Sequence, residues 1–241
     1  MTRSPAPEAV ARHPHLADPI PDGWVRVDLH SHTMWSGDCT TTPDELRAAV
    51  DSSAIDVLCI TDHNATAGAE RLADELACRV IVGEELRVGQ GEIIGLFLTE
   101  RIPAGTGLLE AARMIRDQGG IVYIPHPFDP MRNCLAAPAI EQLVEAGLVD
   151  AFEVRNAKTS LESLNRRAAD YAARHGLAPG AGSDAHVPDA LGAAYMEMPD
   201  FADAASFLAA LRVGRVVGHH FDKARAWSPR IVPSVPDHAS S

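Results

Sequence analysis

From about residue 25 to residue 219 short apolar runs alternate with stretches whose apolar residues recur at helical spacing. The runs predict strands at 25–30, 55–61, 79–85, 92–98, 121–126, 151–156, 177–183 and 213–219. Between them the helical pattern predicts helices at 43–52, 67–77, 107–118, 138–146, 161–175 and 202–211. The borders carry the matching punctuation: Pro43 follows Thr42 at one helix start, while Gly119-Gly120 and Gly176 close two others. Strand–helix alternation of this kind predicts an α/β fold with a largely parallel sheet. Residues 1–22 are rich in Pro, Ala and His without a period and are expected to form an extended arm. Residues 222–241 read as a Pro- and Ser-rich tail, which leaves one domain over 23–221. His13, His15 and His238 fall in these ends and receive no role, and neither do His219 and His220 at the last strand.

The polar residues that interrupt the apolar runs are of one chemical kind. His30 and His32 follow Asp28 at the first run; His63 follows Asp62 at the second; Glu84 and Glu85 end the third. Glu92 follows Gly91, His126 stands between two prolines, and Asp184 and His186 end the seventh. Alternate strand residues project from one face, so each pair two apart offers two ligands to one point. An open doubly wound sheet would spread these groups along an edge. A closed barrel brings the C-terminal ends of its strands to one mouth, and no Gly-rich phosphate loop follows the first strand. A TIM-like barrel is therefore the predicted architecture.

With 241 residues, 46% of them hydrophobic, the chain can bury a full core as one domain. A net charge of −12 argues against a groove for long nucleic acid, whose binding rests on Lys and Arg neutralising phosphates. A small phosphorylated substrate remains compatible, because bound divalent cations reverse the local field. Cys39, Cys59, Cys78 and Cys134 form no Cys-x-x-Cys pair, no run reaches membrane-spanning length, and no secretion signal opens the chain. These features predict a cytoplasmic protein with reduced thiols and no membrane partner.

A mixed His, Asp and Glu set without thiolates suits Zn²⁺, Mn²⁺ or Fe²⁺ and does not choose among them. Two such ions about 3.5–4 Å apart generate a nucleophile from water and stabilise both oxygens of a displacement. The ordered series DLHSH, Asp38, TDHN, GEE, Pro-His126-Pro and GSDAH resembles the polymerase-and-histidinol-phosphatase (PHP) family, relatives of the amidohydrolases. The resemblance runs from about Val25 to at least His186. It implies a distorted (β/α)₇ barrel, two or three divalent ions and hydrolysis of phosphate esters. It further implies that His30, His32, Glu85 and Asp184 hold one ion. Glu85 would bridge to a second ion completed by Glu92 and His126. A third would lie among Asp38, His63 and His186, and Glu85, Asp184 and His186 would be the catalytic members.

Three departures qualify the likeness. Asp38 follows His32 with Gly37 as an extra residue, which bears most on the third ion. Glu92 stands where many relatives have histidine, a harder and more anionic ligand that favours Mn²⁺ or Fe²⁺ over Zn²⁺. The segment between His126 and Asp184 is too short for the extra substrate-gripping domain of some nucleotide-cleaving relatives.

Plainer readings exist for several positions. His63 could open a helix, His126 fill a tight turn, Glu92 be a solvated hairpin residue and Asp38 a turn aspartate. Arg132, in a loop at the expected mouth, could clamp a phosphoryl group by two parallel hydrogen bonds or be a surface arginine. Arg155 and Asn156 close a strand at the same end, and Asn156 is expected to contact substrate. His175 serves a helix dipole. The resulting expectation is a metal-dependent phosphoesterase acting on a small phosphomonoester or nucleotide phosphate. One alternative is an amidohydrolase-like C–N or ester hydrolase, which often uses a carbamylated lysine bridge; neither lysine, Lys158 or Lys223, occupies the place of Glu85. The other is a non-catalytic, metal-stabilised regulatory barrel.

Overall fold

The computed structural model describes residues 4–223. Its strands are β1 (Trp24–Ser31), β2 (Val57–Ile60), β3 (Arg79–Arg87), β4 (Glu92–Leu96), β5 (Ile121–Ile124), β6 (Ala151–Asn156), β7 (Ala178–Gly182), β8 (Ala194–Pro199) and β9 (Arg215–Gly218). They form one sheet in the order β7-β6-β5-β4-β3-β2-β1-β8-β9. The chain leaving β7 then returns to β1. Asp184 N donates to His30 O at 2.8 Å and His32 N donates to Ala185 O at 3.0 Å. The sheet thereby becomes a nearly closed α/β barrel.

Four pairings, β1–β2, β2–β3, β5–β6 and β6–β7, are parallel. The expectation of a largely parallel sheet is corrected at β4, which runs antiparallel to both β3 and β5. No helix separates β3 from β4; a tight turn does, with Gly89 at φ +73° and Gly91 at φ +133°. A Cβ on Gly91 would meet the Cys134 backbone at 2.6 Å, so close approach as well as backbone angle requires glycine there.

β8 was not among the predicted strands. Its residues Ala194–Met198 are buried, so no apolar–polar alternation marks it, and Ala and Met are poor strand formers. It runs antiparallel to β1 and to β9.

The helices are α1 (Pro7–Arg12), α2 (Pro43–Ser53), α3 (Ala67–Leu72), α4 (Leu108–Asp117), α5 (Ala137–Glu145), α6 (Glu162–His175) and α7 (Ala204–Val213). At α2, Thr42 and Glu45 form a reciprocal capping box in front of Pro43. α3 is shorter than its periodicity predicts.

The expectation of an extended arm over 1–22 is also corrected. α1 and a 3₁₀ turn at Pro14–Ala17 fold back onto the barrel, burying Ala9 and Leu16 with Ile55 and Tyr195. His13 Nε2 meets Asp189 O at 2.8 Å and His15 Nε2 meets Gly192 O at 2.9 Å. A six-residue helix carries too little periodicity to be read against the surrounding prolines. The C-terminal tail, with His238, lies from residue 224 onward outside the described residues.

Two apolar layers hold the sheet. Val27, Leu29, Ile94, Leu96 and Tyr123 pack in one cluster, while Ile93, Ile115, Val122, Ile140 and Phe152 pack in another that includes α4, α5 and α6. β7 is thin by composition. A Cβ on Gly182 would stand 2.4 Å from His30 Cβ, so glycine there lets β1 and its histidine close against β7.

Candidate metal centre

Each parallel strand delivers its last residues to the same rim. β1 carries His30 and leads into His32, β2 leads into His63, β5 into His126 and β7 into Asp184 and His186. β3 places Glu85 there, bridged in parallel fashion to His63. The reversed direction of β4 explains how Glu92, at the start of its strand, reaches the same rim: it pairs with Arg87 at the end of β3.

Glu85 stands at the centre. Its Oε2 lies 3.3 Å from His30 Nε2, 3.2 Å from His32 Nε2 and 3.2 Å from His63 Nδ1, and its Oε1 lies 2.9 Å from His126 Nε2. Asp184 Oδ1 is 3.8 Å from His30 Nε2 and 3.5 Å from His32 Nε2. Asp38 Oδ2 is 3.2 Å from His63 Nε2 and 3.4 Å from His186 Nε2. Glu92 approaches His63 Nδ1 and His126 Nε2, each at 3.7 Å. The residues fall into overlapping groups: His30, His32 and Glu85; His30, His126 and Asp184; His63, Glu85 and Glu92; and His32, Asp38, His63 and His186.

This donor set fits divalent metal ions. The Nε2 atoms of His30 and His32 face each other at 3.1 Å, where they can share only one proton, and both face one carboxylate oxygen. Asp38 Oδ1 is buried without a hydrogen-bond partner, and His63 Nδ1, although 3.2 Å from Glu85 Oε2, is not aligned for a hydrogen bond. Burial at this cost is what a bound cation compensates.

The charges inside the cluster are strongly coupled. Burial disfavours a charge on His30, yet Glu85, Asp184 and Glu153 together hold its pKa well above the usual histidine range. Burial and the neighbouring His186 push His32 down to about 3. Burial and the Glu85 carboxylate raise Glu92. Burial opposes ionisation of Asp38, but hydrogen bonds from His186 and His63 hold it below the carboxylate range.

Several supporting residues escaped the sequence reading. Glu153, buried within β6, sets its Oε1 3.2 Å from His30 Nδ1 and accepts from His126 N at 2.6 Å through Oε2. That contact assigns the His30 proton to Nδ1 and leaves Nε2 as the ligand atom. A glutamate inside the apolar run Ala-Phe-Glu-Val was the available signal. Ser36 Oγ meets His32 Nδ1 at 2.9 Å in the same supporting role.

Asp28 and Asp62 hold backbone. Asp28 Oδ1 accepts from Ser183 N at 2.9 Å, joining β1 to the end of β7, and Asp62 accepts from Thr33 N and Thr33 Oγ1, each at 2.6 Å. Glu84 points away from the cluster, and its Oε2 accepts from Ile102 N at 2.8 Å. His126 and Asp184 both have positive φ, at 30° and 50°, a strained backbone held by the packing around it.

A cavity of about 420 Å³ opens over the cluster, lined by Asp38, His63, Glu85, Glu92, His126, Asp184 and His186 and by the cations Arg87, Arg132, Lys158 and Lys223. Arg132 therefore lies at the mouth. Its Nη2 donates to Lys158 O at 3.4 Å, while its Nε is buried without a partner. Asn156, expected to contact substrate, is not among the residues that line the cavity. It is 1% exposed, and its amide is spent inside the protein: Nδ2 donates to Glu153 and Asp184, and Oδ1 accepts from Lys158 N and Thr159 N. Arg155 instead pairs with Glu162 on α6.

Comparison with known proteins gives a consistent set of likenesses. A family profile described as PHP-associated matches residues 162–216. An uncharacterized protein of Methanocaldococcus jannaschii is 34% identical over 200 residues, covering 78% of this chain and 80% of the relative. The fold is similar to that of a two-domain protein from Bacteroides vulgatus containing a predicted PHP-like metal-dependent phosphoesterase, with a TM-score of 0.65, 17% identity and coverage of 83% of this chain and 67% of that one. It is also similar to that of an amidohydrolase from Chromobacterium violaceum with bound sulfate and no metal, with a TM-score of 0.52, 19% identity and coverage of 67% and 88%. Among the described residues no helix is long and apolar enough to cross a membrane.

Proposed function

The chain belongs to the PHP family, and from that premise we propose that it is a metal-dependent hydrolase of small phosphomonoesters or nucleotide phosphates. The observation that carries this reading is the convergence of five histidines and four carboxylates in one cluster, of which His63, His126, His186 and the four carboxylates line a cavity whose wall presents Arg132. The groups support two or three divalent ions. His30, His32, Glu85 and Asp184 would hold one, Glu85, Glu92 and His126 a second, and Asp38, His63 and His186 a third. Glu92 adds negative charge to the second set and favours Mn²⁺ or Fe²⁺ over Zn²⁺. Bound there, such ions supply Lewis-acid charge and a nucleophile derived from water.

The chain's own residues do the rest. Arg132 lines the cavity with its Nη2 braced on Lys158 O, so its guanidinium is placed to donate to a phosphoryl oxygen. Glu153 fixes the His30 ring by accepting its Nδ1 proton. Glu85 spans the two halves of the cluster with its two oxygens, and Asp184 and His186 close the side nearest Lys158. The net charge of −12 supports a small substrate over long nucleic acid.

The test is turnover of matched phosphate ester and amide panels with Mn²⁺, Fe²⁺ or Zn²⁺ and after chelation. Metal-dependent phosphate release that disappears in Asp184→Asn supports the reading. Amide or carboxylic ester hydrolysis without phosphate release would transfer the protein to the amidohydrolase alternative. Metal binding without turnover would transfer it to the regulatory one.

A further inference from the structure

We propose that Lys158 selects the substrate's charge state: its ammonium reads the second negative charge of a phosphomonoester and makes the site discriminate against phosphodiesters. The inference rests on the phosphoesterase reading above and deepens it.

The chain contains only two lysines, and both line the cavity over the metal-ligand cluster. They are differently placed. Lys223 is 58% exposed and already paired with Asp189. Lys158 is 14% exposed, with Nζ 3.5 Å from Asp184 Oδ1 and 3.1 Å from His186 Nδ1. It is thus a largely buried ammonium placed beside two candidate ligands.

Its base is fixed. Lys158 N and Thr159 N both donate to Asn156 Oδ1, at 2.9 and 3.2 Å, and Thr159 Oγ1 donates to Asp129 Oδ2 at 2.7 Å. The same residue's carbonyl braces Arg132, so one short loop sets both cations on one wall. Holding an ammonium there costs side-chain entropy and desolvation that a purely structural loop would avoid with an apolar residue.

The charge balance points to the ligand. Lys158 shares Asp184 with any cation bound by that carboxylate, so the wall gains positive charge when the centre is loaded. A monoester brings two negative charges to this wall and a diester one. A charge-assisted hydrogen bond from Lys158 therefore acts on the first class more than on the second. Removing it should cost the monoester about tenfold to a hundredfold.

The experiment compares p-nitrophenyl phosphate with bis(p-nitrophenyl) phosphate, which share a leaving group, on metal-loaded wild-type protein, Lys158→Met and Lys158→Arg. Metal content and melting temperature are measured on each, and orthophosphate is titrated calorimetrically. The expected result is a tenfold to hundredfold fall in monoester kcat/KM in Lys158→Met, with the diester within threefold of wild type. Orthophosphate affinity should fall in parallel, and Lys158→Arg should restore part of both. Where diester turnover is below detection, orthophosphate affinity decides. An equal loss on both esters, unchanged monoester turnover, or undiminished orthophosphate affinity overturns the assignment while leaving the phosphoesterase reading in place. If the wild-type protein cleaves neither ester, that reading falls and the role of Lys158 with it.

Discussion

Glu153 stands directly behind His30: its Oε1 is 3.2 Å from the ring Nδ1, and its Oε2 accepts from the backbone of His126 at 2.6 Å. One buried carboxylate therefore orients two candidate ligands carried by different strands. Replacing it by glutamine keeps shape and removes charge. Glu153→Gln should lower metal affinity about 10–100-fold. Competition with a chromogenic chelator measures this, and unchanged affinity would mean that the contact is incidental.

Metal loading should stabilise the fold as well as activate it. Ligands that bind only the folded state contribute about 2.7 kcal/mol at a hundredfold excess over Kd. Titrating Mn²⁺ into chelator-treated protein should raise the melting temperature in a concentration-dependent way. His30→Ala combined with His32→Ala should abolish the rise, since both rings face Glu85 Oε2.

The close contact between β1 and β7 makes Gly182 intolerant of any side chain. A Cβ there would meet His30 Cβ at 2.4 Å and Glu153 Oε1 at 2.7 Å. Gly182→Ala should therefore lose metal binding together with several kcal/mol of stability, on the order of 1–3 for overpacking plus the displaced polar contact. Gly107→Ala provides a control for the cost of a glycine substitution outside the core, since Gly107 has φ −69° and its added Cβ meets nothing within 4 Å.

Glu84, next to Glu85 in the chain but with its side chain on the opposite side, offers a stability test. Burial pushes its carboxyl up to about 7 from 4.5, and Oε1 has no partner. The folded state therefore binds more protons than the unfolded state between those values, and Glu84's contribution to stability is lost as pH rises through about 7. Glu84→Gln keeps the acceptor for Ile102 N without the charge. Its melting temperature should exceed wild type by about 3–6 °C at pH 8, with the difference vanishing towards pH 5.

The N-terminal segment should respond in the opposite direction. His13 lies against His219 at 3.4 Å, and burial lowers it to about 4 from 6.5. Here the unfolded state binds more protons within that window, so stability is lost as pH falls from about 6.5 towards 4. Thermal melts across this range should show the decline, and His13→Gln, which can still donate to Asp189 O, should flatten it.

What could be read from the chain divides along physical lines. The parallel strands announce themselves because each apolar run ends in a group with no place in a core, and α2 does so through Thr42, Pro43 and Glu45. β8 stays hidden because burial on both faces erases its period, and α1 because six residues hold too little of one. At the site, the ligands share strand ends and can be located from sequence alone. Their supports cannot: Glu153 is separated from His30 by 123 positions, and only closure of the barrel reveals the pair. Asn156 and Lys158 show the limit most plainly. Both sit at one strand end, but a turn of two residues decides which reaches the cavity and which supports it from below.

The hairpin between β3 and β4 ties Glu85 and Glu92 to a single ladder in which Arg87 pairs with Glu92. Elsewhere around the mouth, a loop can grow outward without shifting the group at its root. In this hairpin, spacing and register are one quantity: inserting a single residue into the turn would turn a carboxylate to the opposite side of the sheet. Length variation among homologous chains should therefore accumulate in the other rim loops and spare residues 85–92.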